Sequence, residues 1–205
     1  WEVTEHDFKL AKELDLIISA HVWGAPNRMN KDGYQKLAKM KLLGPNHNLV
    51  HGVYLSTSEL KLIVGSGASI TVTPVDELQM SHGVPLTGRL RELGVQPSIG
   101  VDVESNISGD MFTIMRMTMQ TQRNLDNQLI AHKTKMPAQK LSIKPKEALA
   151  WATIDSAKAL RLDKKVGSLK PGKQADLIFI NKNDLNLFPV NNAVEAVVFH
   201  ANGSN

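Results

Sequence analysis

Whatever chemistry this sequence can do rests on a few ionisable side chains: His21, His51, the adjacent pair Asp76 and Glu77, and Asp102. Imidazoles bind divalent metals or move protons near neutral pH, and carboxylates bind metals or accept protons. A site that gathered them could therefore hold a cation and activate water. Each residue also has a plainer reading by itself. A lone histidine in an apolar run is ordinarily a core residue with its hydrogen bonds satisfied. Asp102 and Asp76 would serve as helix caps or turn residues, and Glu77 and His82 as solvated loop.

What sets them apart is their place relative to the elements that must position them. Four apolar runs of strand length occur: Asp15-Leu-Ile-Ile-Ser-Ala-His21, Asn48-Leu-Val-His-Gly-Val-Tyr54, Ala68-Ser-Ile-Thr-Val-Thr73 and Pro97-Ser-Ile-Gly-Val-Asp-Val103. A helix pattern from Thr4 to Leu14 precedes the first, and helix patterns at about 31–43, 58–64 and 84–93 separate the others. Continuous apolar strands alternating with helices predict an α/β fold with a parallel sheet. His21 falls at the C-terminal end of the first run, His51 near the end of the second, Asp76 and Glu77 just beyond the third, and Asp102 at the end of the fourth. In a (β/α)₈ barrel the C-terminal strand ends are where catalytic residues converge. The repeated placement predicts one shared mouth.

Composition narrows the chemistry further. The 205 residues are 42% hydrophobic and 21% charged, an ordinary globular balance. With no cysteine in the chain, disulfides and thiolate metal sites are excluded, so a metal would depend on the seven histidines and on carboxylates. The net charge of +4 is scattered apart from a lysine cluster between Lys133 and Lys146. Aromatic residues do not interleave with that cluster, which reads as a solvated loop and argues against a nucleic-acid partner. No apolar run approaches the ~20 residues that span a bilayer, and Trp1-Glu-Val-Thr-Glu5 is no signal peptide. The expectation is a cytoplasmic protein with a small-molecule substrate and no membrane partner.

Several segments resemble the amidohydrolase superfamily in its cytosine deaminase and triazine chlorohydrolase branch. They are Leu49-Val-His-Gly-Val-Tyr-Leu-Ser56, Thr73-Pro74, Pro97-Ser-Ile-Gly-Val-Asp-Val103, Gly109-Asp-Met-Phe112 and Arg116. Ala148-Leu-Ala-Trp-Ala-Thr-Ile-Asp-Ser-Ala-Lys-Ala-Leu160 and Val166-Gly-Ser-Leu-Lys-Pro-Gly-Lys-Gln-Ala-Asp-Leu-Ile178 are similar to that superfamily's C-terminal signature. The resemblance implies a metal-dependent hydrolase acting on a C–N or C–Cl bond of a cyclic or heteroaromatic substrate. It implies one divalent ion, zinc first and iron or manganese as alternatives. His21 matches the fifth-strand metal ligand. Asp102 matches the eighth-strand aspartate that binds metal and takes a proton from water, and His51 the sixth-strand histidine that polarises substrate or orients water.

Two departures stand out. The superfamily's first-strand His-x-His pair is absent, and glycine occupies position 24, where its proton-shuttling glutamate would stand. Asp76, Glu77 and His82 are the local candidates to replace that glutamate, and His82 and Trp23 are candidates for touching substrate.

A complete barrel needs about 250 residues. The chain is therefore expected to be a partial (β/α)₈ barrel, about strands five to eight, with C-terminal helices and the start of a small β-sandwich domain. Residues 1–165 would form the second half of the barrel with its helices, and 166–205 would lead into the small domain through a strand at Leu177–Ile180. Two open sheet edges would recruit a second copy or the missing N-terminal half. Asp110 opens a long helix to about Ile130 with a Met-rich stripe, either capping it or reaching the mouth, and a further helix runs from Pro145 to Leu160. Two alternatives stay open: a non-catalytic homologue whose site has decayed, and an anion-binding α/β protein without metal. The second lacks a glycine-rich phosphate loop.

Overall fold

The computed structural model describes residues 1–205 except Gly24, Pro26 and Met29, so the glycine expected in place of a glutamate lies outside the described residues. Four strands, β1 (Ile18–Val22), β2 (His47–His51), β3 (Ser69–Val72) and β4 (Ser98–Ile99), form one parallel sheet in the order β1-β2-β3-β4. Parallel neighbours require a crossover, and helices supply each one. These are α2 (Gly33–Lys39), α3 (Thr57–Gly65) and the pair α4 (Pro74–Gln79) and α5 (Thr87–Glu92), with α1 (Glu2–Glu13) ahead of β1. The α/β architecture with a parallel sheet is therefore as the sequence predicts.

The strands are less uniformly apolar than their sequences suggest. Residues paired in register lie on the same face of a sheet, and side chains alternate between faces. Ala20, Leu49 and Ile70 are aligned, as are Val72 and Ile99. Leu49, Ile70, Val72 and Ile99 are buried in one core with Leu60, Ile63, Leu90, Ile114, Met119 and Trp151. Burying side chains of this size contributes roughly 1.5–3 kcal/mol each. The opposite face is a hydrogen-bonded polar ladder. Asn48 Nδ2 donates to Ser19 Oγ (3.2 Å), Thr71 Oγ1 donates to Asn48 Oδ1 (2.7 Å), and the Thr71 and Ser98 hydroxyls meet at 2.5 Å. His21, two residues beyond Ser19, stands on this polar face.

Element ends follow local chemistry. Ser56 and Glu59 form a capping box that starts α3 immediately after the β2 turn. Asp110 caps α6 (Met111–Thr134): its Oδ1 accepts from the Phe112 N–H (2.9 Å) and its Oδ2 from Thr113 (2.6 Å), so its carboxylate is committed to the helix. The stripe of Met115 and Met119 along α6 is core packing. The helix expected from Pro145 to Leu160 comprises α7 (Pro145–Ala150), a π turn (Trp151–Asp155) and α8 (Ser156–Ala159).

Three expectations need correction. The fourth strand ends at Ile99, three residues before Asp102, because the chain turns away from the β3 ladder there. Residues 74–79 are a helix rather than loop: proline at the first helical position and acids in the first turn are strong start signals. Leu177–Ile180 forms no strand, because no described segment pairs with it, and Ile178 and Phe179 are 74% and 88% exposed. The last helix, α9 (Ala193–Phe199), was not expected; Arg116 ties its end to α6 by donating to the Val198 and Ala201 carbonyls. Among the described residues no helix is long and apolar enough to cross a membrane.

Candidate functional site

His21 is the fourth residue of β1 and His51 the last residue of β2. Simple alternation would turn His51 toward the helices together with Leu49. Instead its backbone adopts the left-handed region (φ 70°), followed by Gly52 at φ 75°, and the ring reaches His21: His21 Nδ1 and His51 Nε2 are 3.0 Å apart. Gly52 is needed at this turn, since a Cβ there would meet Leu55 Cδ1 at 2.8 Å. Asp102 is also left-handed (φ 77°), and its carboxylate closes the group, with Oδ2 3.3 Å from His51 Nε2 and Oδ1 3.8 Å from His21 Nε2. Non-glycine residues in this conformation cost about 1–3 kcal/mol each and cluster at functional sites.

Behind this trio lies a buried acidic layer carried by α4. Glu77, with no exposed surface, places Oε1 3.2 Å from His51 Nδ1 and accepts from the Thr73 N–H at 3.3 Å. The Thr73 hydroxyl lies 3.0 Å from the same His51 nitrogen. An Nδ1–H donated to Glu77 leaves Nε2 as the nitrogen that faces His21 and Asp102. Asp76, 1% exposed, accepts from Asn106 Nδ2 (2.9 Å) through Oδ1, and its Oδ2 lies 3.8 Å from His82 Nδ1. The solvated-loop reading of Glu77 is thus replaced by a fully buried one, because the helix carries it under the mouth.

Electrostatics follow from this crowding. Burial pulls the His51 pKa down, but the Glu77 hydrogen bond and charge, with Asp102 and Asp76, outweigh burial and raise it above its ordinary value. Asp102 is raised as well: burial and the neighbouring Asp76 carboxylate act upward, against the downward pull of His51 and His21. Both shifts run toward the protonated forms, with which a bound cation would compete.

The donor set fits a divalent metal. Two imidazoles and a carboxylate offer ligand atoms that all lie within 4.8 Å of one another, the one such group of three among the described residues. Ligands held at ~2.0–2.1 Å around one tetrahedral ion lie roughly 3.3 Å apart, and one ligand atom from each of the three residues already falls within 4.8 Å of the others. Metal-bound histidines ordinarily donate their other N–H to a carboxylate or carbonyl, the position Glu77 occupies toward His51. The His21 side chain is 68% exposed and that of Asp102 15%, so the group opens to solvent on one side.

Of the residues singled out from sequence, His21, His51 and Asp102 come together directly, and Glu77 joins through His51. Trp23 and His82 meet at the rim, with ring centroids 4.7 Å apart. Thr73 and Asn106 were missed, although Thr73-Pro74 stands in a segment of the family resemblance. Tyr54, in the same segment as His51, was missed too; its ring lies 5.8 Å from that of Trp23. A cavity of about 630 Å³ lies elsewhere, near the N-terminal ends of β3 and β4 around Ser69, Ser98 and Arg161.

Comparison with known proteins agrees with this architecture. The amidohydrolase family model matches residues 4–203. A 5-methylthioadenosine/S-adenosylhomocysteine deaminase of Teredinibacter turnerae is 34% identical over 197 residues, covering 92% of this chain and 42% of that protein. Among solved structures, an adenosine deaminase of Xanthomonas campestris with bound zinc superposes with a TM-score of 0.79 at 23% identity, over 94% of this chain and 43% of its own. An atrazine chlorohydrolase of Arthrobacter aurescens TC1 complexed with zinc gives 0.77 at 17% identity, over 95% and 42%. At such identities the two structures speak for the shared fold. The chain spans less than half the length of these relatives. With the family match extending over nearly all of its residues, the chain belongs to the amidohydrolase family.

Proposed function

We propose that this chain is the part of a metal-dependent hydrolase that carries its fifth- to eighth-strand site residues, acting on a C–N or C–Cl bond of a cyclic or heteroaromatic substrate. The observation that carries this reading is the convergence of His21 on β1, His51 at the end of β2 and Asp102 in the segment after β4 into one group. The deaminase names of its relatives support the bond type. In this reading β1 to β4 are strands five to eight of a barrel, residues 1–165 are its second half with attached helices, and 166–205 lead toward a separate small domain. The remaining strands, from a further segment or a second copy, would complete the mouth.

His21 and Asp102 would hold the ion, zinc by the donor set with iron or manganese as alternatives, and His51 stands within reach of the same position. A divalent cation, when bound, supplies Lewis-acid polarisation and brings the pKa of water near ~7. The residues do the rest. In a deamination the water oxygen bonds the ring carbon, the C–N bond breaks, and one proton of the water leaves with the amine as ammonia. Asp102, its basicity raised by burial and by Asp76, accepts that proton and returns it to the leaving nitrogen. His51, held by Glu77 and Thr73, keeps Nε2 aimed at the reacting centre.

Elemental analysis of the purified chain, alongside ammonia release from aminated heterocycles, tests the reading. About one equivalent of metal per chain, lost in His21→Ala and Asp102→Ala, supports it. The second reading, a non-catalytic homologue, is favoured by glycine at position 24, where the family resemblance would place a glutamate. It expects a folded chain that holds no metal even when supplied with its missing strands.

A further inference from the structure

α6 outruns the body it packs against. Its buried residues, Ile114, Met115, Thr118, Met119 and Gln122, all lie in its first half, and residues 128–137 are exposed without a break. The helix nevertheless continues to Thr134, about three turns beyond Gln122. Its end is finished by Lys135 in the left-handed conformation, whose N–H donates to the Ala131 carbonyl, and by the Thr134 hydroxyl, which donates to the Ile130 carbonyl. Helical turns in water gain most of their stability from an apolar face that packs. Here Leu129 is 61% exposed, and Met136, just past the helix, 59%. Gln122, Leu125, Leu129 and His132 follow one another at spacings of three, four and three, the seam of a coiled coil. They form one wall of a groove of about 500 Å³, with Val84 and Pro85, just ahead of α5, on the other.

The charges along this face are sorted by sign. Glu92 on α5 and Asp126 on α6 edge the groove, and Lys133 and Lys135 stand at the helix end. Among the described residues none of these four is in an ion pair. A second copy of the chain carries the matching pattern. We propose that α6 beyond Gln122, with the groove beside it, is the self-complementary surface through which two copies associate, their α6 helices antiparallel. A two-fold axis passing between Leu129 and His132 sets each of these residues against the other on the opposite copy, and every contact occurs twice. The positions flanking that seam then pair Asp126 of each copy with Lys133 of the other, while the basic end of one helix lies along the acidic lip of the other groove. Shifting the axis one turn toward Gln122 would instead set Asp126 against its own counterpart, so the charges choose the register. The pairing uses no residue of the metal group and does not depend on the hydrolase reading.

Sedimentation equilibrium of the 205-residue chain tests it. The parent should sediment at twice the chain mass in the micromolar range. Leu129→Lys, at a position 61% exposed, should leave the far-ultraviolet circular dichroism unchanged and raise the dimer dissociation constant at least about thirtyfold, the size of one interface hot spot. Asp126→Lys and Lys133→Asp each set like charges together and should each weaken the dimer about tenfold. With both changes in one chain the unlike pairing returns, and the dissociation constant should come back to within about threefold of the parent. A parent that stays monomeric throughout the micromolar range would overturn the proposal. So would a dimer indifferent to Leu129→Lys, which must pair through another face such as the open edge of β1. A double variant weaker than either single change would overturn it as well, since it removes the antiparallel pairing on which the proposal stands.

Discussion

Glu77 and His51 meet in a fully enclosed contact, Oε1 to Nδ1 at 3.2 Å, although one stands on α4 and the other at the end of β2. The carboxylate has no exposed surface and a second oxygen without a partner, an arrangement that costs stability unless a positive charge compensates it. His51 supplies part of that charge, and its raised pKa is the reciprocal sign of the same attraction.

Glu77→Gln keeps the shape and removes the charge. Outer-shell partners of a ligating histidine are typically worth 10–100-fold in metal affinity. Competition with a chromophoric chelator should therefore show zinc binding weakened by about that factor. Unchanged zinc affinity would mean that His51 does not lie on the metal.

His21 contributes little to packing because its side chain is 68% exposed. His21→Ala should leave the melting temperature of the metal-free chain within about 2 °C, as surface changes usually stay within ~0.5 kcal/mol. Zinc at 100 times its dissociation constant should stabilise the parent by about 2.7 kcal/mol and the variant far less. Equal zinc-induced shifts in the two proteins would remove His21 from the ligand set.

The turn after β2 places two successive residues, His51 and Gly52, in the left-handed region. Gly52→Ala would place a Cβ 2.8 Å from Leu55 Cδ1 at φ 75°, beside a His51 that is already left-handed. The expected cost exceeds 1 kcal/mol, read as a lower urea midpoint with unchanged slope. Zinc affinity should fall with it, because the same turn aims the imidazole. A variant as stable as the parent would show that the turn relaxes freely.

The sheet order, the crossover helices and the grouping of His21, His51 and Asp102 were legible because they depend on spacing: apolar runs ending in ionisable residues, separated by helix-length segments. The depth of Glu77 and Asp76 was not. A Pro-Val-Asp-Glu segment after a strand reads as loop until the first-turn helix signals are weighed, and burial of a carboxylate depends on a histidine brought from another strand. The left-handed backbone at His51 and Asp102 was also hidden, since neither residue type announces it as glycine does. The strand expected at Leu177–Ile180 failed for a different reason. Its residues suit a strand, but pairing is non-local, and no described segment lies beside it.

A histidine away from the site gives a prediction free of the metal question. His47, at the start of β2, is 5% exposed, stacks on Phe8 with centroids 4.8 Å apart, and has Nδ1 2.8 Å from the Gly44 N–H. Burial lowers its pKa from the ordinary value of 6.5, only partly offset by the Gly44 backbone. Below pH 6.5 the unfolded chain therefore binds this proton more readily than the folded one. By linkage, stability is lost as the pH falls from 6.5 toward the lowered folded value, and the loss is complete below it. His51 has the opposite sign and contributes equally to parent and variant, so a comparison isolates His47. His47→Asn retains a polar atom near the Nδ1 position but does not titrate there. Urea unfolding at a series of pH values should show the parent losing stability more steeply than the variant below pH 6.5, with parallel curves above it. Parallel curves throughout would mean that His47 stays protonatable in the folded chain, so that its stacking on Phe8 leaves the ring open to water.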